Sequence, residues 1–191
     1  MRLFVGIALD AGPLTALEQV RQRLATAGGD LRWPRPADQH ITLQFLGECN
    51  GEQAACVTAR LGEVRSQRVP VRIAGLGFFE RAGVFWAGVE PAAELLALQQ
   101  RVTAATRGCG FAAEARPYRP HITLARTRGR IRGRAPGRGV AQLAALKQAV
   151  ERTRIRLAAE FVAEEFSLYE SFPSPEGSRY EVRARFPLGT A

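Results

Sequence analysis

An α+β fold built from two similar lobes is what this chain of 191 residues predicts, on three observations. Strand-like and helix-like segments alternate along its length. The word His-Ile-Thr-Leu occurs twice, at His40–Leu43 and at His121–Leu124, once in each half. No stretch of linker composition separates the halves, so they read as a single bilobal domain over residues 1–191, with the repeated motifs near the junction.

Each element has a local reason. Leu3 to Leu9 is an apolar run suited to an opening strand. From Pro13, a residue that fits a first helical turn, Leu14, Leu17, Arg21 and Leu24 recur at helical spacing until Gly28-Gly29. Pro34 and Pro36 mark a loop, after which His40 to Leu46 is extended. Ala54, Val57, Leu61 and Val64 predict a second helix. Val71–Leu76 and Val84–Val89 predict two strands around a turn near Arg81-Ala82-Gly83. Leu95, Leu98, Val102 and Ala105 place a third helix that ends near Gly108 and Gly110. The second motif strand follows Pro117 and Pro120 and runs through Ala125. Val140–Glu151 is helical in pattern, and Phe166–Tyr169 and Tyr180–Phe186 are the last strands.

Composition narrows the functions open to such a fold. No apolar run approaches the ~20 residues of a membrane span. The start, Met1 to Asp10, reads as a strand better than as a signal peptide, and a cytoplasmic location is expected. Cys49, Cys56 and Cys109 form no C-x-x-C pair and are expected as free, buried or partly buried thiols. With two histidines in the chain no conventional zinc set assembles, and neither metal nor cofactor is expected. The net charge is +9, and of 27 basic residues only Lys147 is a lysine. A GC-rich coding bias accounts for arginine over lysine. It does not account for the excess over acids, which favours an anionic partner.

The motif itself points to chemistry. Alternate residues of a strand face the same way, so His40 and Thr42 share one face while Ile41 and Leu43 share the other. His121 and Thr123 repeat the arrangement against Ile122 and Leu124. Two imidazoles and two hydroxyls across one cleft suit phosphoryl chemistry without a metal. In-line displacement at phosphorus needs a base on one side and an acid on the other, and histidine titrates near neutrality. The threonine hydroxyls would donate to the non-bridging oxygens. A purely structural repeat and a two-histidine metal site are the competing readings; no acid lies within either tetrapeptide to complete a ligand set.

The paired His-x-Thr-x strands resemble those of the 2H phosphoesterases. Their flanks are similar to the bacterial RNA 2′,3′-cyclic phosphodiesterases, also called LigT-like 2′-5′ RNA ligases. The resemblance rests on Gln39-His40-Ile41-Thr42-Leu43-Gln44-Phe45-Leu46-Gly47-Glu48 and on Arg116-Pro117-Tyr118-Arg119-Pro120-His121-Ile122-Thr123-Leu124-Ala125-Arg126. Arg2-Leu3-Phe4-Val5, Val84-Phe85-Trp86-Ala87-Gly88-Val89 and Arg185-Phe186-Pro187-Leu188 extend it over nearly the whole chain. It implies a pseudo-symmetric α+β fold of two antiparallel-sheet lobes with outer helices and a central cleft. The implied reaction is metal-independent hydrolysis of an RNA terminal 2′,3′-cyclic phosphate to a 2′-phosphomonoester, with weak reverse 2′-5′ ligation. By the same resemblance His40 is the proton donor to the leaving 3′ oxygen and His121 the proton acceptor from water. Phe45 and Arg126 occupy the positions that sandwich the terminal base.

RNA ends or nucleoside cyclic phosphates are therefore the expected partners, with no membrane and no obligatory protein partner. Arg126, Arg128, Arg130, Arg132, Arg134 and Arg138 form a basic run that reads as a solvated segment or as a clamp on an RNA backbone. Trp33 and Tyr118 flank the motifs and are expected to line the cleft, while Trp86 is expected in the core. Two alternatives stay open. One is a related phosphoesterase acting on another small phosphodiester, such as a cyclic ADP-ribose phosphate or a 2′-5′ linkage. The other is a non-catalytic module that binds RNA ends.

Overall fold

The computed structural model describes residues 1–27, 29, 31–127, 138–174 and 177–189. In chain order the elements are β1 (Arg2–Ala8), α1 (Ala11–Leu24), β2 (His40–Glu48), α2 (Gly51–Gly62), β3 (Val69–Phe79), β4 (Val84–Val89), α3 (Ala93–Arg107), β5 (His121–Arg126), α4 (Arg138–Thr153), β6 (Ala158–Ala163), β7 (Glu165–Ser174) and β8 (Gly177–Pro187). Short 3₁₀ turns at Pro36–Asp38 and Glu80–Ala82 lead into β2 and β4.

The strands form one sheet in the order β6-β3-β4-β5-β2-β1-β7-β8, with every neighbouring pair antiparallel. Its two halves, β6-β3-β4-β5 and β2-β1-β7-β8, meet at the β5–β2 seam, where the register holds one pair, Ile41 with Ile122. Each half ends at the seam in a motif strand, which is the pseudo-symmetry expected from the repeat. The sequence packs this way because each strand has one apolar face. Ile41, Leu43, Ile122, Leu124, Phe85, Ala87 and Ile73 are all buried in the core, and the helices add Leu17, Val20, Val57, Leu61, Leu95, Leu98, Val102 and Leu146.

Helix starts follow local chemistry. Asn50 accepts from the Gln53 backbone N–H at 2.8 Å, and the Gln53 side chain accepts from the Asn50 N–H at 3.1 Å. This reciprocal cap fixes the start of α2. Helix α1 begins at Ala11, two residues before the expected Pro13, because a proline is tolerated anywhere in the first turn, whose N–H groups lack intrahelical partners.

Two expectations need correction here. Strand β6 has no counterpart in the sequence reading. Its Ala158-Ala159-Glu160-Phe161-Val162-Ala163 run lacks the apolar/polar alternation of a half-buried strand, and it lies at the sheet edge, paired with β3. The cysteines are not all free: Cys56 and Cys109 form a disulfide with Cα atoms 5.8 Å apart, leaving Cys49 as the free, buried thiol. The packing of α2 beside α3 brings the two residues together across 53 positions of sequence. Local spacing carries no trace of that. No helix of the described residues is long and apolar enough to cross a membrane.

Candidate active site

Both motif strands carry the same irregularity. Along β2 the register runs Gly6 with Thr42, then Val5 with Gln44, so Leu43 is an extra residue. Along β5 it runs Trp86 with Thr123, then Phe85 with Ala125, so Leu124 is extra. A bulge of this kind shifts the alternation by one residue beyond it. The burial sequences are accordingly identical: His half-buried, Ile buried, Thr half-buried, Leu buried, then Gln44 or Ala125 buried, then Phe45 or Arg126 exposed. Strict alternation would put Phe45 on the core face with Ile41 and Leu43. The bulge instead turns it out, 66% exposed, and does the same for Arg126.

The antiparallel register about Ile41 and Ile122 sets His40 opposite Thr123 and Thr42 opposite His121. The structure thus brings both histidines and both threonines to one face at the seam. Phe45 and Arg126 follow on the same two strands, beyond the bulges.

Each imidazole is held in the same way. His40 Nδ1 lies 2.8 Å from the Asp38 carbonyl oxygen, and His121 Nδ1 lies 2.7 Å from that of Arg119. A carbonyl only accepts, so Nδ1 carries the proton in both rings and Nε2 is left to exchange protons with a substrate. The supports are themselves fixed. The Asp38 carboxylate accepts from Arg35 Nε at 2.6 Å and from the Tyr180 backbone N–H at 3.3 Å. The Tyr118 hydroxyl donates to the Thr42 carbonyl at 2.9 Å, tying the approach to β5 onto β2 across the seam.

Aromatic walls distinguish the two rings. His40 stands against Phe4 (centroids 4.6 Å apart), Tyr180 (5.0 Å, edge to face) and Tyr169 (6.1 Å). His121 meets Phe79 edge to face at 4.9 Å and Trp86 at 6.4 Å. Burial therefore lowers the His40 pKa to about 4, with the charges of Arg126 and His121 acting the same way against the Asp38 carbonyl. His121 is lowered too, first by burial, then by Arg126, while the Arg119 carbonyl works in the opposite direction. Arg126 thus lies within electrostatic reach of both rings. An anion placed among them would raise both pKa values.

Glycines make the room. A Cβ on Gly6 would come 2.9 Å from the Ile41 carbonyl oxygen and 3.5 Å from His40 Cδ2. One on Gly77 would fall 2.2 Å from the Trp86 ring, which lies flat across it. Trp86 is therefore a cleft-face residue and not a core one. The signal was present in the sequence, since Phe85, Ala87 and Val89 are its buried neighbours in an alternating strand. Trp33, expected at the cleft, instead has its ring edge-on to Phe85 of the core at 6.1 Å. Tyr118 is at the seam, as a brace. Phe4, Phe79, Tyr169 and Tyr180 were not singled out from sequence, because only the sheet order brings their strands beside the motifs.

Of the basic run, Arg128, Arg130, Arg132 and Arg134 lie outside the described residues, as does the side chain of Arg138. A separate open groove of about 760 Å³, lined by residues including Arg72, Glu90, Glu160 and Phe161, lies at the β3–β6 edge and contains none of the motif residues. Among the described residues no group of three His, Cys, Asp or Glu side chains forms a metal-ligand set.

Comparison with known proteins gives this geometry a family. The RNA 2′,3′-cyclic phosphodiesterase of Geobacillus stearothermophilus is 32% identical over 190 residues, covering 93% of this chain and 56% of its own length. That of Archaeoglobus fulgidus is 29% identical over 184 residues, covering 95% and 97%. The chain thus spans little more than half the length of the Geobacillus relative and nearly all of the Archaeoglobus one. The apo crystal structure of Escherichia coli LigT superposes with a TM-score of 0.75 at 24% identity, over 99% of this chain and 98% of that one, and so shares the fold. The family model described as the 2′-5′ RNA ligase superfamily matches residues 37–171, a span that contains both motifs. The chain belongs to the 2′-5′ RNA ligase superfamily, with its α+β 2H phosphoesterase fold.

Proposed function

We propose that this chain is a metal-independent RNA 2′,3′-cyclic phosphodiesterase that opens a terminal ribose cyclic phosphate to a 2′-phosphomonoester. The observation that carries the reading is the matched pair of imidazoles at the seam, each with Nδ1 held by a backbone carbonyl, which leaves Nε2 as the proton-exchanging nitrogen. The two relatives bear the name of that activity. His121 takes the proton of the attacking water while His40 gives one to the departing 3′ oxygen, so a single proton crosses the site per turnover. Thr42 and Thr123 donate to the non-bridging oxygens where charge builds. Phe45 and Arg126, turned outward by equivalent bulges, hold the terminal base between a ring and a guanidinium. Both halves of the sheet supply one histidine, which favours reading residues 1–191 as one domain. Acting on RNA ends would suit a place where RNA is made and turned over, which favours a cytoplasmic location. Weak 2′-5′ ligation is the same displacement with an RNA 5′-hydroxyl in place of water as the nucleophile, the 3′ oxygen again leaving with the proton from His40.

The pH dependence is the test. In the free protein both imidazoles favour the neutral form, His40 with a pKa of about 4 and His121 below its ordinary value. One must be protonated and the other neutral. On a nucleoside 2′,3′-cyclic phosphate with a chelator present, kcat/KM is expected to be bell-shaped with both limbs below about pH 6.5. Substrate charge raises both pKa values, so the kcat profile lies at higher pH than that of kcat/KM. These limbs belong to the coupled pair and not to either ring alone. Absence of turnover with the chelator, or a profile flat from pH 4 to 8, would contradict the reading.

A further inference from the structure

The bulge at Leu43 has a consequence that its twin at Leu124 lacks. Beyond the bulge the next side chain is driven into the core. On β5 that residue is Ala125, 1% exposed and without polar atoms in its side chain. On β2 it is Gln44, an amide left 7% exposed. A buried amide is costly unless bonded. Gln44 meets Thr106 of α3, a residue with no exposed surface, whose Oγ1 donates to Gln44 Oε1 at 2.8 Å. The same hydroxyl lies 3.2 Å from the Thr103 carbonyl, and Gln44 Nε2 has no hydrogen-bond partner among the described residues. The Thr106 hydroxyl is thus what holds the Gln44 side chain. The end of α3 is in turn fastened to α2 three residues on, through Cys109 and Cys56.

We propose that the buried Gln44–Thr106 hydrogen bond is a positioning device that holds the bulge and so sets the outward pose of Phe45, the adjacent residue. Gln44 and Thr106 touch no substrate. They act through the ring, and so on how much the nucleobase contributes to kcat/KM. Arg126, the other half of the base sandwich, follows a bulge with no such anchor, so the pair confers its effect on one wall of the base site only. The inference rests on the reading of Phe45 as a base platform.

The experiment compares kcat/KM for a nucleoside 2′,3′-cyclic phosphate with that for a base-free probe, methyl riboside 2′,3′-cyclic phosphate. The ratio of the two reads the contribution of the base. Stacking on one aromatic ring contributes a factor of about 5 to 150 to that ratio. Phe45→Ala is expected to lose that factor and leave the share due to Arg126. Thr106→Val, which removes the hydroxyl at nearly constant volume, is expected to lower it by about fivefold or more, toward the Phe45→Ala value. Thr106→Ser, which keeps the hydroxyl, is expected to retain it within about twofold. Gln44→Ala leaves the Thr106 hydroxyl bonded to Thr103. It serves as the second variant should Thr106→Val fail to fold, and it too is expected to lower the ratio. A general loosening of the fold would lower both substrates together and leave the ratio unchanged. A ratio lowered in Phe45→Ala but kept in Thr106→Val and Gln44→Ala overturns the positioning role alone. A ratio unchanged in Phe45→Ala overturns the platform reading, and the inference with it.

Discussion

Replacing either histidine by alanine is expected to lower kcat on a nucleoside 2′,3′-cyclic phosphate by about 10²–10⁴-fold, with a much smaller change in KM. The size follows from the role. A positioned proton transfer is made only in the transition state, so its loss falls on kcat and not on ground-state binding. The double variant is expected to be far less than multiplicatively worse than either single one, since the two rings serve one displacement and half a proton relay is of little use. The fold should survive both changes. Each imidazole is only half-buried, and the strands are anchored by Ile41, Leu43, Ile122 and Leu124 on the opposite face. Steady-state kinetics of the three variants, with thermal melting alongside, would check this. A loss in kcat below tenfold in His121→Ala would remove that residue from the chemistry.

Stability should depend heavily on a bond remote from the cleft. Reducing the Cys56–Cys109 disulfide, which links residues 53 positions apart, is expected to lower the unfolding free energy by about 4 kcal/mol. The effect arises in the unfolded chain, which regains the freedom that closing so long a loop had removed. For a chain of this size the melting temperature should fall by about 8–16 °C. Cys56→Ser should reproduce the fall without reductant, and Cys49→Ser should not, because Cys49 is the free thiol, with its Sγ 3.4 Å from the Gly47 carbonyl. Identical melting with and without reductant would show that the pair is not bonded in solution. Such a bond is unusual in a reducing cytoplasm. The same measurement on protein extracted with thiols blocked therefore bears on location as well.

How far the sequence reached is clearest on β2. The repeat, the two faces and the seam followed from strand period and from the scarcity of histidine, and the structure arranges the four motif side chains accordingly. Phe45 is the instructive residue. Alternation alone assigns it to the core, and only its resemblance to a base-stacking position argued otherwise. The bulge at Leu43 resolves the conflict, and no residue type in His-Ile-Thr-Leu announces a bulge. The carbonyls that hold the imidazoles were also invisible, since a backbone acceptor has no signature in sequence. Cys56 with Cys109, and Gln44 with Thr106, are contacts between elements far apart in the chain. Both depend on how α2 and α3 lie against each other and the sheet, which periodicity does not encode. Trp86 is a different case. Its face was legible from Phe85 and Ala87, whose burial on the alternate face of the strand turns Trp86 the other way.

The central claim is that His40 and His121 together open a cyclic phosphate on its 3′ side. Phosphorus NMR of a nucleoside 2′,3′-cyclic phosphate incubated with the protein and a chelator tests it most directly. The cyclic signal should convert to a single 2′-phosphomonoester signal with the wild-type chain, and persist over the same period with His40→Ala or His121→Ala. A 3′-phosphomonoester product, an unchanged cyclic signal with the wild type, or undiminished conversion by either variant would contradict the account.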